Sequence, residues 1–148
     1  MQVKFSNEVA ELLGKRGLKE ADVTDVINTA ESSGRKLTKD NKNLAKKRIG
    51  DVTIYALYDN EGNLETAYSH RMQLGDIIPS EGEPKPSEWV CNFDKKQAEQ
   101  GSVNMTYLTV TRAGPAIVSP TCGDSWVEEY LATKTLAAAE GLFEKKRA

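Results

Sequence analysis

The sequence predicts an α+β domain: two short N-terminal helices, a mostly antiparallel sheet with a central hairpin, and a long C-terminal helix. Three observations carry that expectation. Residues 51–72 alternate β-branched or aromatic side chains on both sides of Asn60-Glu61-Gly62-Asn63, which reads as two strands joined by a turn that needs a glycine. Val9, Leu12 and Leu13, then Val23, Val26, Ile27 and Ala30, recur at helical spacing ahead of Gly14, Gly17 and Gly34. Val127, Tyr130, Leu131, Ala138 and Leu142 form a last apolar stripe near the C-terminus.

In chain order, the helical pair is expected over residues 6–34, with Gly34 as the stop of the second helix. The pair invites a helix-turn-helix reading, but Glu20, Asp22, Asp25 and Glu31 on the second helix would repel phosphates. The sheet is expected over residues 36–74, where residues 44–49 pair with the hairpin. The lysines of residues 36–47 read first as guards of an exposed edge and second as a docking patch for an acidic or phosphate-bearing partner. Residues 75–102 are expected to be an irregular connection, because Pro79, Pro84 and Pro86 oppose a helix or a central strand. Within it, residues 89–93 suit a short strand or anchor, and residues 95–100 a helical turn. Residues 103–148 hold a strand, read as continuous over 104–112 and turned at Ala113-Gly114-Pro115, and then the final helix. Ser125-Trp126-Val127-Glu128 has capping-box spacing, and Lys145, Lys146 and Arg147 suit the negative end of the helix dipole.

With 148 residues, 39% hydrophobic and 28% charged, the chain is expected to form one domain with a real core. A net charge of −2 argues against a general nucleic-acid binder. No apolar run reaches membrane-spanning length, and the N-terminus lacks a secretory pattern, so a cytoplasmic location with reduced cysteines is expected. Two cysteines cannot hold an iron–sulfur cluster. A zinc site from His70, Cys91 and Cys122 matches no finger or ribbon spacing, so no metal site is assigned.

Candidate ligand-contacting residues are His70, Arg71 and Cys122. A histidine titrates near neutrality, and an arginine can hold an anion bidentately. On a strand, Tyr68, His70 and Met72 share one face while Ser69 and Arg71 share the other, so Ser69 and His70 cannot form a nucleophile–base pair. Cys122 is expected just before a helix N-terminus, where the dipole would lower a thiol pKa, against the plainer reading of a small buried residue in a turn. Trp89, Tyr68 and Met72 are taken as partner-interface anchors. No residue is assigned a catalytic role, and no phosphate-loop or dinucleotide motif occurs.

Residues 26–36 (Val-Ile-Asn-Thr-Ala-Glu-Ser-Ser-Gly-Arg-Lys), 44–53 (Leu-Ala-Lys-Lys-Arg-Ile-Gly-Asp-Val-Thr) and 67–72 (Ala-Tyr-Ser-His-Arg-Met) carry a resemblance. Over about residues 23–72 the chain resembles a small accessory module of anaerobic redox systems, found fused to or beside glutamate-synthase-like flavin and iron–sulfur oxidoreductases. The resemblance implies a non-catalytic accessory subunit of a multi-subunit redox complex. It implies flavin and iron–sulfur clusters in a larger redox partner, with no cofactor bound by this chain alone. The alternative is a free-standing enzyme or binding protein for a small anionic metabolite using His70, Arg71 and Cys122.

Overall fold

A computed structural model describes residues 1–147, the last two by their backbone only. The chain runs α1 (Asn7–Lys15), α2 (Glu20–Ser33), β1 (Leu37–Lys39), β2 (Lys42–Ile49), β3 (Val52–Asp59), β4 (Leu64–His70), β5 (Gln73–Ile78), β6 (Lys85–Cys91), β7 (Gln97–Tyr107), β8 (Val110–Ser119) and β9 (Asp124–Trp126). A π-helical segment, Leu131–Leu136, then leads directly into α3, Ala137–Arg147. The α+β class, the two N-terminal helices and the C-terminal helix are present as expected. Ser6 caps α1 by accepting the Val9 N–H at 3.2 Å, and Gly34, at φ 76°, ends α2 with its N–H on the Ala30 carbonyl at 2.8 Å.

The nine strands form one antiparallel sheet in the order β4-β3-β2-β1-β6-β7-β8-β9, with β5 also paired to β7. β3 and β4 make the expected hairpin and β2 pairs with β3, but the hairpin stands at one end of the order rather than in its middle. Asp59 shapes its turn by accepting the backbone N–H groups of Glu61 and Asn63, both at 2.9 Å. Gly62 sits at φ 92°, and a Cβ there would lie 2.2 Å from the Gln2 carbonyl oxygen. Gly62→Ala is therefore expected to cost roughly 1–3 kcal/mol through backbone strain, measured by urea denaturation.

The expected irregular connection is instead occupied by β5, β6 and the start of β7, and of the residues read as a helical turn, 97–100 lie in β7 while Lys95 and Lys96 lie in the turn before it. β6, despite Pro86, is an interior strand between β1 and β7. Its pairing with β7 is broken between Pro86 and Val90, so the proline falls at a register irregularity. The strand expected over 104–112 is the β7–β8 hairpin, reversed at Leu108-Thr109, and Gly114 and Pro115 lie inside β8 opposite Val103 and Ser102. Leu108 takes φ 57°, a conformation its residue type does not advertise. Ser125 is in β9 opposite Val118, so it caps no helix; helical backbone begins at Glu129. Glu129 is gripped there by the Arg16 guanidinium and the Thr66 hydroxyl, both at 2.6 Å. The side chains of Lys146 and Arg147 lie outside the described residues.

Strand alternation puts two cores on opposite faces of the β2–β4 part of the sheet. Ala45, Ile54, Ala56, Tyr58 and Ala67 pack under Val9, Leu13, Val23, Val26 and Ile27 of α1 and α2. Tyr55 and Tyr68 face the other way, into a core with Trp89, Val103, Ile117, Trp126, Val127 and Leu136. The sheet curls around this second core. Lys46 of β2 reaches across it to Asp124 of β9 at 2.8 Å, and its ammonium lies 5.4 Å from the Trp126 ring centre. Among the described residues, no helix is long and apolar enough to cross a membrane.

Candidate functional site

The curled sheet turns the histidine of the resembling segment inward. His70 is 2% exposed, opposite Thr53 at the end of the hairpin. Its Nε2 shares a hydrogen bond with the Tyr55 hydroxyl at 2.9 Å, while that hydroxyl's oxygen accepts the Val127 N–H at 3.2 Å. Tyr68, stacked on Tyr55 with ring centres 4.8 Å apart, donates its hydroxyl to the Val127 carbonyl at 2.7 Å. Both backbone groups of Val127, the residue entering the C-terminal helical part, are thus held by the hairpin. Burial, with the nearby Arg48 and Lys46 charges, pushes the His70 pKa down to about 4, so the ring is neutral near pH 7. Among the described residues, His70 Nδ1 has no hydrogen-bond partner. Tyr55→Phe leaves the Val127 N–H and His70 Nε2 unpaired, and is expected to cost about 2–4 kcal/mol in chemical denaturation.

Arg71, the next residue, faces solvent. Its guanidinium pairs with Glu144 of α3 and reaches the Tyr107 hydroxyl, which also bonds Glu144. Glu140, one helical turn earlier, turns inward and accepts the backbone N–H groups of Arg71 at 3.0 Å and Met72 at 3.1 Å. Burial raises the Glu140 pKa, opposed by those two N–H groups. Glu140→Ala is expected to cost roughly 1–3 kcal/mol by orphaning two N–H groups, whereas Glu140→Gln, which retains a carbonyl acceptor, is expected to cost less than about 1 kcal/mol; thermal unfolding of both variants checks the pair.

The second cluster lies where the β6–β7 and β8–β9 turns meet. Cys91 and Cys122 are free thiols whose sulfurs stand 3.2 Å apart. The Ser119 hydroxyl lies 3.0 Å from the Cys122 sulfur and 3.2 Å from Asp94 Oδ2, and Cys122 Sγ is 3.5 Å from that same oxygen. The Lys96 N–H holds Asp94 Oδ1 at 2.9 Å, which leaves Oδ2 facing the sulfurs. Cys122 does not precede a helix: it sits in the β8–β9 turn. Without the dipole, burial is the first cause that pushes its thiol up to about 11. Beside this turn runs a groove of about 610 Å³, lined by Asp76, Ile77, Pro79, Pro120 and Gly123 among others.

The sequence-derived candidates therefore scatter. His70 is architectural, Arg71 is on the outer surface, and the free Cys122 thiol is in hydrogen-bond contact with Cys91, Ser119 and Asp94 rather than with either of them. Tyr68 and Met72 are 2% and 3% exposed and Trp89 9%, so all three belong to the core and not to an open docking face. The reason is the curl, which converts one whole face of the hairpin into interior. The exposed large apolar side chains among the described residues instead include Phe93, Tyr130 and Leu142, with Phe93 covered on one side by the Arg35 guanidinium at 4.3 Å. Asp94 and Ser119 escaped sequence reasoning. Their signal was present, since each stands three residues from a cysteine, as Cys91-x-x-Asp94 and Ser119-x-x-Cys122.

Comparison with known proteins adds one finding for the second half of the chain. Residues 87–146 match a family model described as a domain of unknown function, DUF7479. Both cysteines, Asp94, Ser119 and most of the C-terminal helix fall inside that stretch. No curated protein and no solved structure matches the chain.

Proposed function

We propose that this protein is a non-catalytic accessory subunit of an anaerobic redox complex that docks on a larger flavin and iron–sulfur oxidoreductase. The resemblance over residues 23–72 supplies the redox context. The observation that carries the non-catalytic part is the placement of His70. The side chain best suited there to acid–base work is buried, held neutral and used to fasten the hairpin to Val127. Docking then falls to the outer surface, where Arg71, Phe93, Tyr130 and Leu142 are accessible. A free-standing metabolite enzyme built on His70, Arg71 and Cys122 is disfavoured because these side chains face different surroundings.

The test is anaerobic co-expression with the products of adjacent reading frames, followed by size-exclusion chromatography. The expected result is stoichiometric co-elution with a chain that carries flavin and iron–sulfur absorption. Tyr130→Asp combined with Leu142→Asp should weaken co-elution without changing the circular dichroism of the isolated chain. Elution of this chain alone from both the co-expression and the native extract, or substrate turnover by the purified chain, would overturn the proposal.

A further inference from the structure

The β6–β7 and β8–β9 turns are built alike, although their sequences differ. In the first, Cys91 is position one, Asp94 position four and Lys95 position five; in the second, these positions are Ser119, Cys122 and Gly123. In each, the N–H of position five donates to the carbonyl of position one, at 2.9 Å in both cases. In each, position five takes a left-handed conformation, φ 63° at Lys95 and 73° at Gly123. For lysine this conformation costs of order 1 kcal/mol, so the turn shape is imposed rather than preferred. The two turns face each other with positions one and four pointing inward. They present two sulfurs, one carboxylate oxygen and one hydroxyl oxygen to a common centre.

We propose that Cys91, Asp94, Ser119 and Cys122 form a structural site for a borderline-soft divalent cation of the Zn²⁺ class. Ligand pairs with two residues between them on paired turns are a usual spacing for such an ion, and thiolates select it over the oxygen-seeking Mg²⁺ and Ca²⁺. The distances fit. Donors around a tetrahedral ion with bonds of roughly 2.0–2.3 Å stand about 3.3–3.8 Å apart. The observed separations are Cys91–Cys122 3.2 Å, Cys122–Asp94 3.5 Å, Ser119–Asp94 3.2 Å and Ser119–Cys122 3.0 Å. An outward movement of a few tenths of an ångström admits the ion. Cys91, Asp94 and Cys122 all offer a donor atom within 4.8 Å of one another. Asp94 is already oriented from behind, because the Lys96 N–H holds its outer oxygen.

Binding is a ligand exchange without oxidation. The cation takes two thiolates and one carboxylate, two thiol protons pass to solvent, and the Ser119 hydroxyl completes the set as a neutral donor. The ion would pin the β6–β7 and β8–β9 turns together, and so fix β9 and the start of the helical part beside it. This site is independent of whether the chain docks on a partner, and the two proposals can fail separately.

The experiment uses the full chain, purified anaerobically with reductant, stripped with chelator, and shown by thiol titration to hold two free thiols. Co²⁺ is titrated first, followed by displacement with Zn²⁺. One equivalent of Co²⁺ should produce thiolate-to-cobalt charge-transfer absorption and the intense visible bands of tetrahedral coordination, and Zn²⁺ should abolish both. Zn²⁺ should raise the melting temperature of the wild type and not that of Cys91→Ser. Asp94→Asn should weaken Zn²⁺ binding at least tenfold, and Ser119→Ala should alter the visible cobalt bands while keeping the charge transfer. Should Cys91→Ser fail to fold, Asp94→Asn and the stoichiometry of the wild type carry the test. Absence of stoichiometric Co²⁺ and Zn²⁺ binding by the reduced wild type overturns the site, as does unchanged affinity in Asp94→Asn. Anaerobic isolation with the two cysteines joined as a disulfide and no bound metal also overturns it.

Discussion

Trp126→Ala is expected to remove about 3–5 kcal/mol of stability, a large share of the roughly 5–15 kcal/mol that holds a domain folded. Trp126 is 1% exposed and lies on β9, the last strand of the curled sheet. It fills the interior that Tyr55, Val103, Ile117 and Leu136 share, and the Lys46 ammonium lies over its ring at 5.4 Å. Truncation opens a cavity that the surrounding β3, β7 and β8, each paired on both sides, cannot close, so the transfer loss and the cavity loss add. Its indole N–H has no partner among the described residues, which makes Trp126→Phe informative. That change removes an unsatisfied buried donor and a smaller volume, and should cost clearly less than the alanine. Urea denaturation followed by far-ultraviolet circular dichroism measures both. A loss below about 1 kcal/mol for Trp126→Ala would contradict the packing described here.

Acid is expected to destabilise the fold through His70, by about 3 kcal/mol between pH 6.5 and pH 4. Burial is the largest cause of its depressed pKa of about 4, against an ordinary value of 6.5. The unfolded chain therefore binds a proton that the folded chain refuses. This contribution is complete above pH 6.5 and lost as pH falls towards 4, so stability rises with pH across that window. The structural reason is the burial of the ring, whose Nε2 is tied to the Tyr55 hydroxyl at 2.9 Å. A second ring proton puts a positive charge inside a core that also holds Lys46 and Arg48 at its rim. Glu140 acts in the opposite sense, since burial raises its pKa and favours the folded state at lower pH. The measurement is accordingly a difference: unfolding free energies of wild type and His70→Gln compared from pH 7 to pH 4. The gap should narrow as pH falls. A gap independent of pH would show that His70 is not buried neutral.

How much of this was legible in the sequence differs by element. Both N-terminal helices were readable because their apolar spacing, the Gly34 stop and the polar outer face all agree locally. The β3–β4 hairpin was readable for the same reason, through alternation and a glycine turn. The β7–β8 hairpin was not, because Leu108 and Thr109 turn the chain without glycine, proline or asparagine. Its alternation simply continues across the turn. β5 and β6 hid behind prolines, which an irregular ladder tolerates where the pairing is interrupted. Ser125 carried a capping signature that strand pairing with Val118 overrode. Gly114 looked like a turn, yet it lies within β8, where a Cβ would sit 2.6 Å from the Met105 sulfur. Its missing side chain serves close packing, not reversal.

By itself, the sequence determined that this chain folds as α+β, where its first two helices stop, and which strands form the glycine-turned hairpin, since propensity, periodicity and turn chemistry act over a few neighbouring residues. Only the tertiary structure decided that His70 points into a core, that Arg71 faces water beside Glu144, and that Cys91 and Asp94 meet Ser119 and Cys122. Those outcomes depend on how the sheet curls and which turns it brings together. The curl is set by contacts between residues far apart in the chain, such as Lys46 with Asp124, which no local pattern encodes.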